Sequence, residues 1–229
     1  ENPYGGFCST FSRSTDRFEL AELTSGLGQR FETLRIALKF YSCVGSNHTT
    51  LDAIRDLRAQ HGFDNDAIES IVVHGSRVTV DHVGWKYRPE GLTSAQLNLP
   101  YCVATLLLEG DVFVEQFSEA MVADPARMKL SEIVAVVEDP AITARGKRYR
   151  HMVRVEVRLR NGTVHEKTVE APRGSEDHFA TREDIVAKFI KLASCRLPRT
   201  QAERIASMVM EAEKQPSAAA IVQALAPAA

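Results

Sequence analysis

Apolar and polar residues alternate most strictly over 152–159, where Val153, Val155, Val157 and Leu159 stand against Arg154, Glu156 and Arg158. After Asn161-Gly162 the alternation resumes over 163–169. A period of two on both sides of an Asn-Gly pair predicts an antiparallel hairpin. Residues 68–74, with Ile68, Ile71, Val72 and Val73, and residues 133–137, ended by Asp139-Pro140, are predicted strands. Residues 30–38 alternate through Phe31, Thr33, Leu34, Ile36 and Leu38, which predicts a further strand. Residues 78–83 are expected to extend the strand before them or to pair beside it.

Other stretches carry the helical period. Over 47–60, Leu51, Ile54 and Leu57 form an apolar face, Asp52, Arg55, Asp56 and Arg58 a wet one, and Gly62 a stop. Residues 93–109 predict a buried helix with Pro100 near its start and Gly110 as its stop. Residues 112–122 are amphipathic, with Val112, Phe113, Phe117, Ala120 and Met121 inward, and Asp124-Pro125 opens a short helical turn. A short helix is expected at 16–23, ended by Gly26 and Gly28, and a loop at 84–91. After Pro172-Arg173-Gly174 only helices follow. Thr181-x-x-Asp184 and Thr200-x-x-Glu203 are capping signatures for helices at 182–194 and 201–213, and Ser217 opens a last short one. Strands mixed with helices, then helices alone, indicate an α+β fold with a helical tail.

Composition narrows the function. The 229 residues carry a net charge of −2, with 44% hydrophobic and 25% charged content. Those values suit a soluble globular protein and give no basic field for nucleic acid. No apolar run approaches the ~18 residues of a membrane span. The four cysteines (Cys8, Cys43, Cys102, Cys195) form no C-x-x-C pair, and His61, His74, His82, His151, His165 and His178 lack metal-ligand spacing. Reduced thiols in a cytoplasmic protein are the expectation. The chain starts at Glu1 rather than methionine, and its opening resembles a loop inside a longer polypeptide. A frayed alanine-rich tail is expected at its other end.

The chemistry concentrates in Lys39-Phe40-Tyr41-Ser42-Cys43-Val44-Gly45-Ser46-Asn47-His48, which runs into the helix at 47–60. Helix N-termini expose unpaired N–H groups and partial positive charge, so they hold anions. Lys39 adds a full charge, and His48 adds a side chain suited to proton transfer near neutrality. The bland alternatives are a solvated Lys39, a His48 bonded to backbone and a small buried Cys43. His82 and Trp85 are expected in a loop able to close over such a site.

Residues 38–53 resemble the MmgE/PrpD family, whose motif runs roughly K-x-Y-P-x-C, four residues, H, then a helix with I-D-A. Asp64 to Val73, the segment Thr93-Ser94-Ala95-Gln96-Leu97-Asn98-Leu99-Pro100-Tyr101, and Asp124-Pro125 to Val137 resemble later family segments in the same order. Members run to about twice this length, with an all-helical domain and a smaller lid. The resemblance implies a two-layer α/β sandwich lid with a mostly antiparallel sheet, plus flanking helices of the all-helical domain. It divides the chain into 1–30 (end of the helical domain and linker), 31–172 (lid) and 173–229 (helices rejoining the helical domain).

The function implied is a cofactor-independent lyase that hydrates or dehydrates a small di- or tricarboxylic acid such as 2-methylcitrate. It forms a homodimer through the helical domain, and this chain alone is expected to be inactive. Lys39 and His48 are the implied catalytic and substrate-binding residues, and Tyr101 lines the same pocket. Ser42 stands where proline is usual. Val44, five residues after the lysine, stands where the decarboxylases place a histidine, which weighs against decarboxylation. Decarboxylation or epimerisation of a related acid (cis-aconitate, iminodisuccinate) is the enzymatic alternative. A non-catalytic lid or interaction module is the other.

Overall fold

The computed structural model describes residues 5–14 and 16–226. The loop expected at 2–7 and the alanine-rich tail lie partly outside them. The chain forms two compact units, Glu1–Ile36 and Ala37–Ala229. The first holds helix α1 (Phe7–Ser12) and 3-10 turns at Leu20–Leu23 and Glu32–Arg35. The expected helix at 16–23 is thus only its last turn. The expected strand at 30–38 is absent, because Arg30 pairs locally with Glu22 (3.5 Å) and Glu32 (2.9 Å) around a 3-10 turn.

The second unit is built on a four-stranded sheet in the order β2-β1-β3-β4, from β1 (Ile68–Gly75), β2 (Val134–Glu138), β3 (Val153–Leu159) and β4 (Val164–Val169). β1 pairs parallel with β2, Ile71 opposite Val134, and antiparallel with β3, Val73 opposite Val155. The β3–β4 hairpin turns at Gly162, whose φ of 86° explains the glycine, and the Asn161 side chain accepts from the Thr163 N–H at 3.0 Å. One face is apolar: Ile71, Val73, Val153, Val155 and Val157 are fully buried. Residues two apart share a face, so His74, Arg154 and Glu156 fall on the other, where His74 lies 3.0 Å from Glu156.

The apolar face is covered by α2 (His48–His61) and α5 (Leu99–Glu109). α2 presents Leu51, Ile54 and Leu57, each almost fully buried, and ends at Gly62 in the left-handed region (φ 66°). Between these elements lie α3 (Arg77–Val83), α4 (Leu92–Leu97), α6 (Glu119–Val122), α7 (Pro125–Ser131) and α8 (Pro140–Ala144). After the hairpin come α9 (Arg182–Ala193), α10 (Arg199–Met210) and α11 (Ala218–Ala224). The expected α+β class and the mostly antiparallel sheet with flanking helices are present.

Three local expectations change. Residues 78–83 are helical, because the Ser76 side chain accepts from the Thr79 N–H and caps a helix where the sequence alternates like a strand. The helix expected at 93–109 is two: Asn98 turns extended (ψ 122°) and its side chain caps α5 through the Tyr101 N–H at 2.8 Å. Thr181 and Asp184 form the expected capping box on α9, whereas Thr200 lies inside α10, which starts after Pro198. Within 112–122, Val112 and Phe113 are buried as expected, but Ala120 is exposed.

Candidate functional site

Residues 37–44 form a strap outside the sheet, bent at 40–43. The Leu38 N–H donates to the Gly174 carbonyl (2.9 Å), Ser42 N–H to Val112 (2.9 Å) and Val44 N–H to Gln96 (3.1 Å). The strap buries Tyr41 and Cys43 inward and leaves Lys39 outward. Gly174 makes this path possible: its φ is 89°, and an added Cβ would meet the Leu38 carbonyl oxygen at 2.8 Å and the Phe40 ring at 2.9 Å. Gly174→Ala is therefore expected to cost about 2 kcal/mol and to displace Lys39. Denaturant unfolding checks this, and an unchanged midpoint would contradict it.

Lys39 lines a cavity of about 350 Å³. Its walls carry five cations (Lys39, Arg55, Arg173, Lys188, Lys191) and two carboxylates (Asp111, Asp184). The capping box at Thr181 fixes the start of α9, and the helical period then sets Asp184, Lys188 and Lys191 on one face. Lys191 pairs with Asp111 and lies 4.2 Å from the centre of the Phe113 ring. Arg173 stacks on Phe40 (4.1 Å) and reaches Asp184 at 3.4 Å, while its buried Nε–H has no acceptor. Arg55 lies 3.9 Å from Asp111. Lys39 and Lys188 have no ion-pair partner among the described residues. Surplus positive charge in a concavity concentrates anions there. Arg55 and Arg173 also line a neighbouring cavity of about 550 Å³.

His48 opens α2 and is buried, its Nε2 without a partner. It does not line the Lys39 cavity; its ring meets the Tyr41 ring edge-on at 5.2 Å, and Tyr41 is part of the cavity wall. Tyr41 is held by a hydrogen bond from its hydroxyl to Asp52 (2.7 Å), and burial together with the Asp52 charge pushes its pKa up. Cys43 and Cys102 are both buried free thiols. Cys102 draws the Cys43 thiol below its usual value, against its burial and with help from His48 and Asn47. Burial pushes Cys102 well above its usual value. The Asn47 side-chain N–H donates to Cys102 Sγ at 3.3 Å. Nothing in the local sequence signals this cluster, because Cys102 comes from α5.

Tyr101 is not brought together with Lys39. It is fully buried in α5, its hydroxyl donates to the Met121 carbonyl (3.1 Å), and its ring lies 4.6 Å from that of Tyr87. Tyr101→Phe is expected to lower stability by about 1 kcal/mol through that hydrogen bond. Acid affinity should stay within about twofold, since separated sites act independently. Titration calorimetry would expose the opposite, a loss of affinity with stability intact. His82 lies in α3 rather than in a closing loop.

Comparison with known proteins finds that the model of the MmgE/PrpD C-terminal domain matches residues 41–214. The chain is 27% identical over 226 residues to a cis-aconitate decarboxylase-like protein of Aspergillus oryzae, covering 93% of this chain and 46% of that protein. It is 25% identical over 226 residues to a cis-aconitate decarboxylase of Aspergillus terreus, with the same coverages of 93% and 46%. The chain thus spans just under half the length of these relatives.

Proposed function

We propose that this chain, which belongs to the MmgE/PrpD family, is the carboxylate-holding part of a lyase acting on a small di- or tricarboxylic acid. The observation that carries the reading is the Lys39 cavity, with its surplus of three positive charges on facing elements. An α-proton beside a carboxylate becomes removable when the charge that develops is met by fixed cations. Lys39 would neutralise that carboxylate. His48, its Nε2 unclaimed, would exchange the proton; because the cavity wall carries Tyr41 rather than the His48 ring against it, the exchange requires the Tyr41 ring to swing aside. Tyr101 would act as packing beneath the site. The remaining catalytic groups would come from helices outside this chain, so the chain alone would bind acid without turning it over. The proposal includes a homodimer formed through those helices and a cytoplasmic setting. Among the described residues no helix is long and apolar enough to cross a membrane.

The proposed reaction is hydration or dehydration, with 2-methylcitrate as the type of substrate. Val44 supports this over decarboxylation, since valine cannot move a proton. Decarboxylation is the second reading, favoured by the names of the relatives. The test is turnover of citrate, 2-methylcitrate, cis-aconitate and iminodisuccinate by the complete polypeptide. Loss or gain of water without carbon dioxide supports dehydration; carbon dioxide from cis-aconitate replaces it with decarboxylation. Inverted stereochemistry without net loss would identify an epimerase, and no turnover of any acid would favour a non-catalytic lid.

A further inference from the structure

Two cations of the cavity stand apart from the charge balance of the rest. Lys191 is neutralised by Asp111, and Arg173 shares Asp184. Lys39 and Lys188 have no carboxylate partner among the described residues, yet they line the same cavity from different elements, the strap and α9. Lys188 is half-buried. In the wall of the same cavity the Arg173 guanidinium keeps a buried Nε–H with no acceptor, and its plane is held by the Phe40 ring at 4.1 Å. An ammonium without a counter-charge and an unclaimed guanidinium N–H on the wall of one cation-rich cavity form an incomplete anion site.

We propose that Lys188 and Arg173 form a second carboxylate anchor facing Lys39, and that this anchor makes the site select a tricarboxylate over a dicarboxylate. The inference rests on Lys39 being the first anchor. One carboxylate sits on the Lys39 ammonium. A second, present in either acid, is met by Arg55, which lines both this cavity and the neighbouring one. The carboxylate that only the tricarboxylate has left over is taken by Lys188 together with the Arg173 Nε–H. No covalent step is involved, so the anchor acts on affinity alone and is readable in the chain without turnover.

The test titrates the chain at low ionic strength with propane-1,2,3-tricarboxylate and with glutarate, followed by amide chemical shifts. The unmodified chain is expected to bind the tricarboxylate about tenfold or more tighter, the worth of one added charge-assisted hydrogen bond. Lys188→Met and Arg173→Gln should each remove most of that advantage and leave glutarate within about twofold, whereas Lys39→Met should weaken both acids. If the advantage survives in Lys188→Met and Arg173→Gln, the second anchor is wrong, and weakening of both acids by Lys39→Met would still uphold the first. If Lys39→Met changes nothing while Lys188→Met weakens binding, the second anchor stands and the Lys39 reading falls. No shift on α9 with either acid overturns the second anchor. Lys188→Arg, which keeps the charge, should retain the preference; if it loses it, packing rather than charge is responsible.

Discussion

Lys39→Met is expected to lower kcat/KM of the complete polypeptide by about 100- to 1,000-fold, the usual cost of removing one electrostatic contact made to developing charge. The same change should leave folding stability unaltered or slightly raised. Lys39 is exposed and lines a cavity with three more positive than negative side chains, so its removal relieves like-charge repulsion. This opposition separates a functional lysine from a structural one, because a structural residue loses both together. Lys39→Arg keeps the charge but changes its shape, and should recover part of the rate. Denaturant unfolding beside steady-state kinetics reads both quantities. A large fall in stability with the rate preserved would remove Lys39 from the site.

The second large effect is a pH dependence of stability centred on His151. Burial, chiefly, together with the charges of Arg150, His82 and His48, pulls its pKa from 6.5 down to about 4. The geometry agrees: the Arg150 Nε–H donates to His151 Nε2 at 3.0 Å, a bond only the neutral ring can accept. The folded state thus resists a proton that the unfolded chain takes up, and stability rises with pH across the interval between the two values. The contribution is fully present above about pH 6.5 and is lost as the pH falls toward 4. His151 keeps partial contact with water, which screens the effect, so the total is about 1–2 kcal/mol, more than half of it gone by pH 5. Carboxylate pairs add their own acid sensitivity, so the informative quantity is the difference between the wild type and His151→Gln, whose amide oxygen can still accept from Arg150. That difference should shrink steadily between pH 7 and 5. Parallel curves for the two proteins would show that His151 is free to protonate in the fold.

What was legible in the sequence follows from how local the cause is. The β3–β4 hairpin announces itself because alternation and an Asn-Gly turn lie within one stretch. Residues 78–83 alternate as well, but the deciding contacts are the Ser76 and Thr79 hydroxyls, both donating to the Arg150 carbonyl some 70 residues away. The break at Asn98 was hidden for a similar reason, since Asn98 is fixed partly by donating its side-chain N–H to the Trp85 carbonyl at 2.6 Å. At the candidate site, Lys39 and His48 stand out because they share a short motif. Arg173, Lys188 and Lys191 do not, because the strap meets their part of the chain only through contacts distant in sequence, such as the Leu38–Gly174 hydrogen bond and the stacking of Arg173 on Phe40. One signal was available: Asp184, Lys188 and Lys191 recur at helical spacing behind a capping box, a charged stripe on one face. His48 and Tyr101 illustrate the converse. Their motif is readable, but only the packing reveals that the cavity wall carries Tyr41 rather than the His48 ring against it, and that the Tyr101 hydroxyl is already claimed.

The central claim is that the Lys39 cavity holds a carboxylic acid. A crystal structure of the complete polypeptide with an unreactive tricarboxylate tests it most directly. The account predicts one carboxylate within hydrogen-bonding distance of Lys39 Nζ, in the space bounded by Tyr41, Arg173 and Lys188. Density for the bound acid elsewhere, with this cavity filled only by water, would contradict it.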